Sequence, residues 1–149
     1  MYGINFYNDE ISYKYCVEEA IECIASLMEA EYKSHFYYEN MLKDSQDDST
    51  KEIVESILDD ERNHIEILRK IYLDLTGKNH LCDLKPFIGT QEFRSSVMWS
   101  LLDKFKVVKK YNSILESFVN EHHKASIIKI ANDELVHISQ LNFILMNLG

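Results

Sequence analysis

Asp59-Asp60-Glu61-Arg62-Asn63-His64-Ile65-Glu66-Ile67-Leu68 holds a glutamate and a histidine three residues apart inside an unbroken helical pattern. Seventy-three residues later, Asn132-Asp133-Glu134-Leu135-Val136-His137-Ile138-Ser139-Gln140-Leu141 repeats it. Residues at i and i+3 share a helix face, so each stretch aims a carboxylate and an imidazole at one point. Two such stretches on facing helices describe a metal site inside a four-helix bundle.

The repeat extends outward from these stretches. Glu31–Leu68 aligns without a gap on Lys104–Leu141, and ten of the 38 positions are identical. They include Tyr38/Tyr111, Leu42/Leu115, Asp60/Asp133, Ile65/Ile138 and Leu68/Leu141. The chain therefore reads as a doubled helical hairpin, with pseudo-symmetric ligands around a central axis.

Apolar spacing places the four helices. The first is expected from Ser12 to Lys43, with a stripe through Val17, Ala20, Ile21, Ile24, Leu27 and Met28 to Tyr38, Met41 and Leu42. Glu31 falls within that stripe, with His35 one turn on. The second runs to Thr76, with Asp48 or Ser49 as N-cap and Gly77 as the stop. The third is expected over Thr90 to Val119, with Lys104 in the middle of its stripe, and the fourth from a turn at Asn120 or Glu121 to the C-terminus. The whole is one domain over 1–149, with repeat halves at about 12–76 and 90–147. The fold class is all-α, a four-helix bundle. Met1–Ser12 forms an aromatic-rich lead-in with no assigned element. The linker 78–89 reaches about 40 Å when extended, close to the roughly 42 Å of a 28-residue helix, so both a crossover and a simple up-down link are open.

Composition agrees with long helices: one Pro and four Gly in 149 residues. Met1–Glu10 has neither a basic n-region nor an apolar h-region, and no apolar run approaches membrane-span length, so a cytoplasmic protein without membrane partners is expected. The net charge of −9 argues against nucleic acid. Residues 1–76 carry 18 acids and 7 bases, a net of −11, whereas residues 77–149 carry 7 acids and 9 bases, a net of +2. Cys16 and Cys23 lie two helical turns apart and cannot bridge each other, and with Cys82 they read as reduced thiols. His80, His122 and His123 fall in turns and are expected to be solvated.

The pattern resembles the ferritin-like superfamily, in its rubrerythrin-related branch: a Glu on the first helix, Glu-x-x-His on the second, a Glu on the third and Glu-x-x-His on the fourth. Glu31, Glu61, His64, Glu134 and His137 match that ligand set. Tyr38 and Tyr111 match the tyrosines that brace its carboxylates seven residues after each single glutamate. The resemblance implies a ferritin-like bundle holding one or two iron ions, with manganese or zinc as alternatives. It also implies oxidoreductase chemistry on O₂ or peroxide in a homodimer or higher homo-oligomer. Lys104 departs from the pattern, standing where the third-helix glutamate belongs, and Val107 occupies the place of the extra glutamate of peroxidase-type relatives. No Cys-x-x-Cys pair provides a rubredoxin-type iron centre.

Formal charge limits what such a site accepts. With Lys104 protonated beside three glutamates, one divalent ion gives neutrality, and two leave an unfavourable buried excess. A binuclear site requires Lys104 to lose its proton and act as a ligand, or His35 to fill the gap. Two functions follow: an iron oxidoreductase, or a non-enzymatic bundle with a mononuclear or empty site that binds metal or serves as a scaffold.

Overall fold

The computed structural model of the chain describes residues 6–45, 47–82 and 92–148, those from Val17 onward with their side chains. It is built from α1 (Phe6–Asp44), α2 (Asp48–Thr76), α3 (Phe93–Ser113), a 3-10 turn (Leu115–Ser117) and α4 (Glu121–Asn147). Among the described residues there is no strand, and no helix is long and apolar enough to cross a membrane.

Local chemistry explains the helix ends. Asp47, one residue before the expected cap, accepts from the Thr50 N–H at 2.8 Å and starts α2. Gly77 ends it at φ +70°, a conformation that L side chains rarely adopt, and donates its N–H to Leu73 O at 2.7 Å. Asn120 caps α4 by accepting from the N–H groups of His122 and His123.

Two helix boundaries differ from expectation. α1 begins at Phe6 rather than Ser12, since no Gly or Pro interrupts 6–12. α3 stops at Ser113, where the apolar spacing predicts continuation to Val119. The tighter turn that follows still buries Ile114 and Phe118, so their hydrophobic burial does not require α-helical backbone. Residues 90 and 91, within the expected start of that helix, lie outside the described residues.

Side-chain pairs fix the helix directions. Asp74 near the end of α2 bonds His123 at the start of α4, and mid-helix Asp60 bonds His137, so α2 and α4 are antiparallel. Lys110 near the end of α3 reaches Ser26 midway along α1, while Trp99 nearer its start stacks on Tyr37 further along α1. α1 and α3 are therefore also antiparallel. With α1 and α2 paired as a hairpin, α2 and α3 run the same way, and the chain between Gly77 and Glu92 carries the connection from one end of the bundle to the other. Of the two routes open to the linker this is the crossover; residues 83–91 themselves lie outside the described residues.

The core is divided. One apolar cluster gathers Ile24, Leu27, Leu68, Ile71, Phe118 and Ile127 towards one end. A second gathers Met41, Val54, Ile57, Val97, Leu141 and Ile144 towards the other. Between them lies a buried layer of Glu31, Glu61, His64, Lys104, Glu134 and His137. Cys23 and Cys82 are free, partly buried thiols.

Candidate metal centre

All four helices supply the buried polar layer. α1 gives Glu31, α2 gives Glu61 and His64, α3 gives Lys104, and α4 gives Glu134 and His137, each at most 1% exposed. One ligand atom from each of Glu31, Glu61, His64 and Glu134 lies within 4.8 Å of the others. The i, i+3 spacing brings this about: helix geometry turns the carboxylate and imidazole of each pair to the same side.

The layer has two unequal halves. His64 Nδ1 faces Glu134 Oε1 at 3.2 Å and Glu31 Oε1 at 3.5 Å. His137 Nδ1 faces Glu61 Oε1 at 3.6 Å and Glu134 Oε2 at 3.5 Å. Lys104 Nζ contacts those same two oxygens, Glu61 Oε1 and Glu134 Oε2. The ammonium thus sits in the half that His137 faces.

An outer set of partners orients the ligating groups. His64 Nε2 lies 3.0 Å from Asp133 Oδ2, and His137 Nε2 lies 2.8 Å from Asp60 Oδ2. Each aspartate directly precedes the glutamate of one Glu-x-x-His and holds the histidine of the other. An Nε2–H given to an aspartate leaves Nδ1 turned to the centre, the arrangement that fixes a metal-binding imidazole. Spacing within one helix gives these aspartates no role, although their identity in the repeat marks them. Tyr111 donates its hydroxyl to Glu31 Oε1 at 2.7 Å. The buried hydroxyl of Tyr38 has no hydrogen-bond partner among the described residues, and Lys104 Nζ lies 5.6 Å from its ring centre. A glutamate at 104 would be the acceptor that Tyr38 lacks.

Charge is redistributed to suit this packing. Burial and the neighbouring Glu61 and Glu134 push Glu31 well above the usual carboxylate range. Burial alone would also raise Glu61 and Glu134, but the Lys104 ammonium overrides it and holds both low. Burial opposes a charge on Lys104, yet Glu134 and Glu61 keep it protonated, so without metal it stays an ammonium rather than a neutral ligand. Burial likewise disfavours imidazolium, but the facing carboxylates push His64 up to about 11 and His137 up to about 9. A metal ion held by His64 with the glutamates would displace the proton from its Nδ1.

The other candidates lie elsewhere. His35 pairs its Nε2 with Glu39 at 3.1 Å, away from the ligand cluster, as a partly buried histidine with a polar partner. Asp103, next to Lys104, does not join the cluster. Two of the three histidines expected in solvent are not there. His123 is buried, its Nε2 3.0 Å from Asp74, and His80 packs on the Tyr72 ring. Asp74 near the end of α2 and the cap at Asn120 bring His123 inward, which spacing within α4 alone does not reveal.

The donor set fits a divalent ion. Buried side-chain N and O atoms without a hydrogen-bond partner among the described residues gather here: Glu31 Oε2, Glu61 Oε2, Glu134 Oε1, and Nδ1 of His64 and His137, while Glu134 Oε2 is ion-paired with Lys104. Leaving such an atom unsatisfied costs about 1–3 kcal/mol, so their convergence points to a cation as their common partner. Three carboxylates and one imidazole suit iron, manganese or zinc.

No protein-family profile and no curated relative matches the chain. Solved structures do. A ferritin-like diiron-carboxylate protein from Bacillus anthracis str. Ames superposes at TM-score 0.72 with 20% identity, over 87% of this chain and 97% of that one. A two-domain protein from Anabaena variabilis ATCC 29413, with DJ-1/ThiJ/PfpI-like and ferritin-like domains, superposes at TM-score 0.67 with 14% identity. That match spans 87% of this chain and 36% of the larger protein. Sequence divergence is wide and the architecture is shared: this chain has the ferritin-like four-helix fold.

Proposed function

We propose that the chain is a metal-binding ferritin-like protein that holds one divalent ion, iron, at Glu31, Glu61, His64 and Glu134, with the Lys104 ammonium in place of a second ion. The observation that carries this reading is that Lys104 and His137 face the same two carboxylate oxygens. A cation is already built into that half. The other half keeps Glu31, Glu61 and Glu134 around His64, each with a buried oxygen that has no hydrogen-bond partner among the described residues. One divalent ion beside one ammonium and three carboxylates closes the formal charge in a dry interior, where any excess is costly.

Iron held there would supply redox chemistry, and we take O₂ or peroxide as the oxidant, in keeping with the rubrerythrin-like pattern of the ligands. The chain's own groups have definite parts. Asp133 orients His64, Tyr111 holds Glu31, and Lys104 pins Glu61 and Glu134 while keeping a proton at Nζ beside the centre. The apolar clusters on either side exclude water from the layer.

Metal content after anaerobic loading with Fe(II) tests the stoichiometry. One ion per chain is expected for the natural sequence and two for Lys104→Glu. Two ions in the natural protein, or no gain in the variant, would refute the part given to Lys104. Peroxide consumption by the iron-loaded protein, abolished in Glu134→Ala, tests the activity; its absence in the natural protein leaves metal binding or a scaffold role as the function.

A further inference from the structure

The duplication provides an internal control for the surface. Leu102 and Phe105 on α3, with Ile128, Leu135, Val136 and Phe143 on α4, are large apolar side chains exposed to solvent. Their counterparts 73 residues earlier are Glu29, Tyr32, Glu55, Arg62, Asn63 and Lys70. At five of these six positions the same fold is therefore charged or polar on one hairpin and apolar on the other, and only Tyr32 matches an aromatic with an aromatic. Folding of the hairpin does not require the apolar set, since the first hairpin reaches the same architecture without it.

The apolar residues form one surface. Phe105 and Leu135 directly follow Lys104 and Glu134, which touch, so they stand at the same level on neighbouring helices. Their counterparts Tyr32 and Arg62 line a single groove on the first hairpin. Leu135 is seven residues from Ile128, and Val136 seven from Phe143, which continues the strip along α4 at helical spacing. Met98 and Met146, whose counterparts Ala25 and Leu73 are apolar too, extend it, and the eight side chains are between 47% and 78% exposed. Side chains of this size, roughly half exposed, present on the order of 800 Å² of apolar surface. That exceeds the ~300–600 Å² of the largest patch on a typical monomer and matches the ~800 Å² each partner gives a standard interface.

We infer that the outer face of α3 and α4 is the contact between two copies of this chain, paired about a two-fold axis. Charge favours this occupant and this face. The half of the chain that carries α3 and α4 has a net charge of +2 and can meet its own copy with little repulsion, whereas two halves of −11 cannot.

Sedimentation of the full chain tests the assignment. A dimer of twice the 17.6 kDa chain mass is expected. Leu135→Arg with Phe143→Lys installs the residues that α2 already carries at these positions, and should raise the dissociation constant at least ~100-fold with helix content by circular dichroism unchanged. Leu102→Glu, matching Glu29, is an independent second variant and should also weaken the dimer. A natural chain that stays monomeric at roughly 100 µM, or a dimer that survives both folded variants, overturns the inference.

Discussion

Glu31 on α1 and Lys104 on α3 occupy matching places in the two hairpins and carry opposite chemistry, while the buried groups around them keep their pattern. Each hairpin still presents Glu-x-x-His, each histidine still takes an aspartate from the opposite hairpin, and a tyrosine still stands seven residues beyond each position. What differs is the current state of the partners. Glu31 is held largely neutral by burial and by its acidic neighbours and accepts from Tyr111. Lys104 is charged and holds two carboxylates in the charged state. A bundle with a carboxylate at all four of these positions needs two external cations to close its charge, and this one supplies a cation of its own.

The largest effect that distinguishes the two positions is on the stability of the metal-free protein. Lys104→Met strips the counter-ion from Glu61 and Glu134 in a fully buried layer, and removing one member of a buried ion pair costs about 3–5 kcal/mol. Glu31→Met removes a group already near neutrality and takes one acceptor from Tyr111, at roughly 1–3 kcal/mol. Urea unfolding in the presence of a chelator compares the two. Equal losses would show that Lys104 is no more than another polar packing group.

Most of this was legible in the sequence because it rests on local periodicity. The i, i+3 pairing of Glu61 with His64 and of Glu134 with His137 follows from helix geometry, and the matching interval places Lys104 opposite Glu31 in the repeat. What escaped the reading depends on contacts between elements. Asp60 and Asp133 point across to a partner helix, so nothing in their own helix marks them as more than solvated acids. His123 is drawn inward by Asp74, 49 residues away. The end of α3 departs from expectation because Ile114 and Phe118 keep an apolar spacing that a tighter turn satisfies as well. The linker's route was undecided because length alone allowed both connections, and only helix directions discriminate.

The aspartates sharpen the comparison next. If the ion lies in the His64 half, Asp133→Asn disturbs the imidazole that binds it and should weaken Fe(II) affinity about 10–100-fold. Asp60→Asn disturbs only His137, which faces the ammonium, and should change affinity less than about threefold by the same reasoning. Titration of each variant with Fe(II) under anaerobic conditions reads the ratio directly. Equal weakening would mean that both halves share the metal, and the division of the layer by Lys104 would be wrong.

The tyrosines give the smallest effect. Tyr111→Phe removes a hydroxyl that donates to Glu31 at 2.7 Å in a buried site and leaves that carboxyl short of a donor, which costs about 1–2 kcal/mol. Tyr38→Phe removes a buried hydroxyl that has no hydrogen-bond partner among the described residues, so the desolvation it suffers in the folded state disappears with it. The expected change is near zero or slightly stabilising. Thermal unfolding of the metal-free variants separates the cases. In the Lys104→Glu background the two should converge, because a glutamate at 104 gives Tyr38 the acceptor that Glu31 gives Tyr111. A Tyr38→Phe penalty that stays near zero in that background would mean that the repeat no longer places position 104 within reach of Tyr38, and that the asymmetry of the centre lies in the backbone as well as in the side chain.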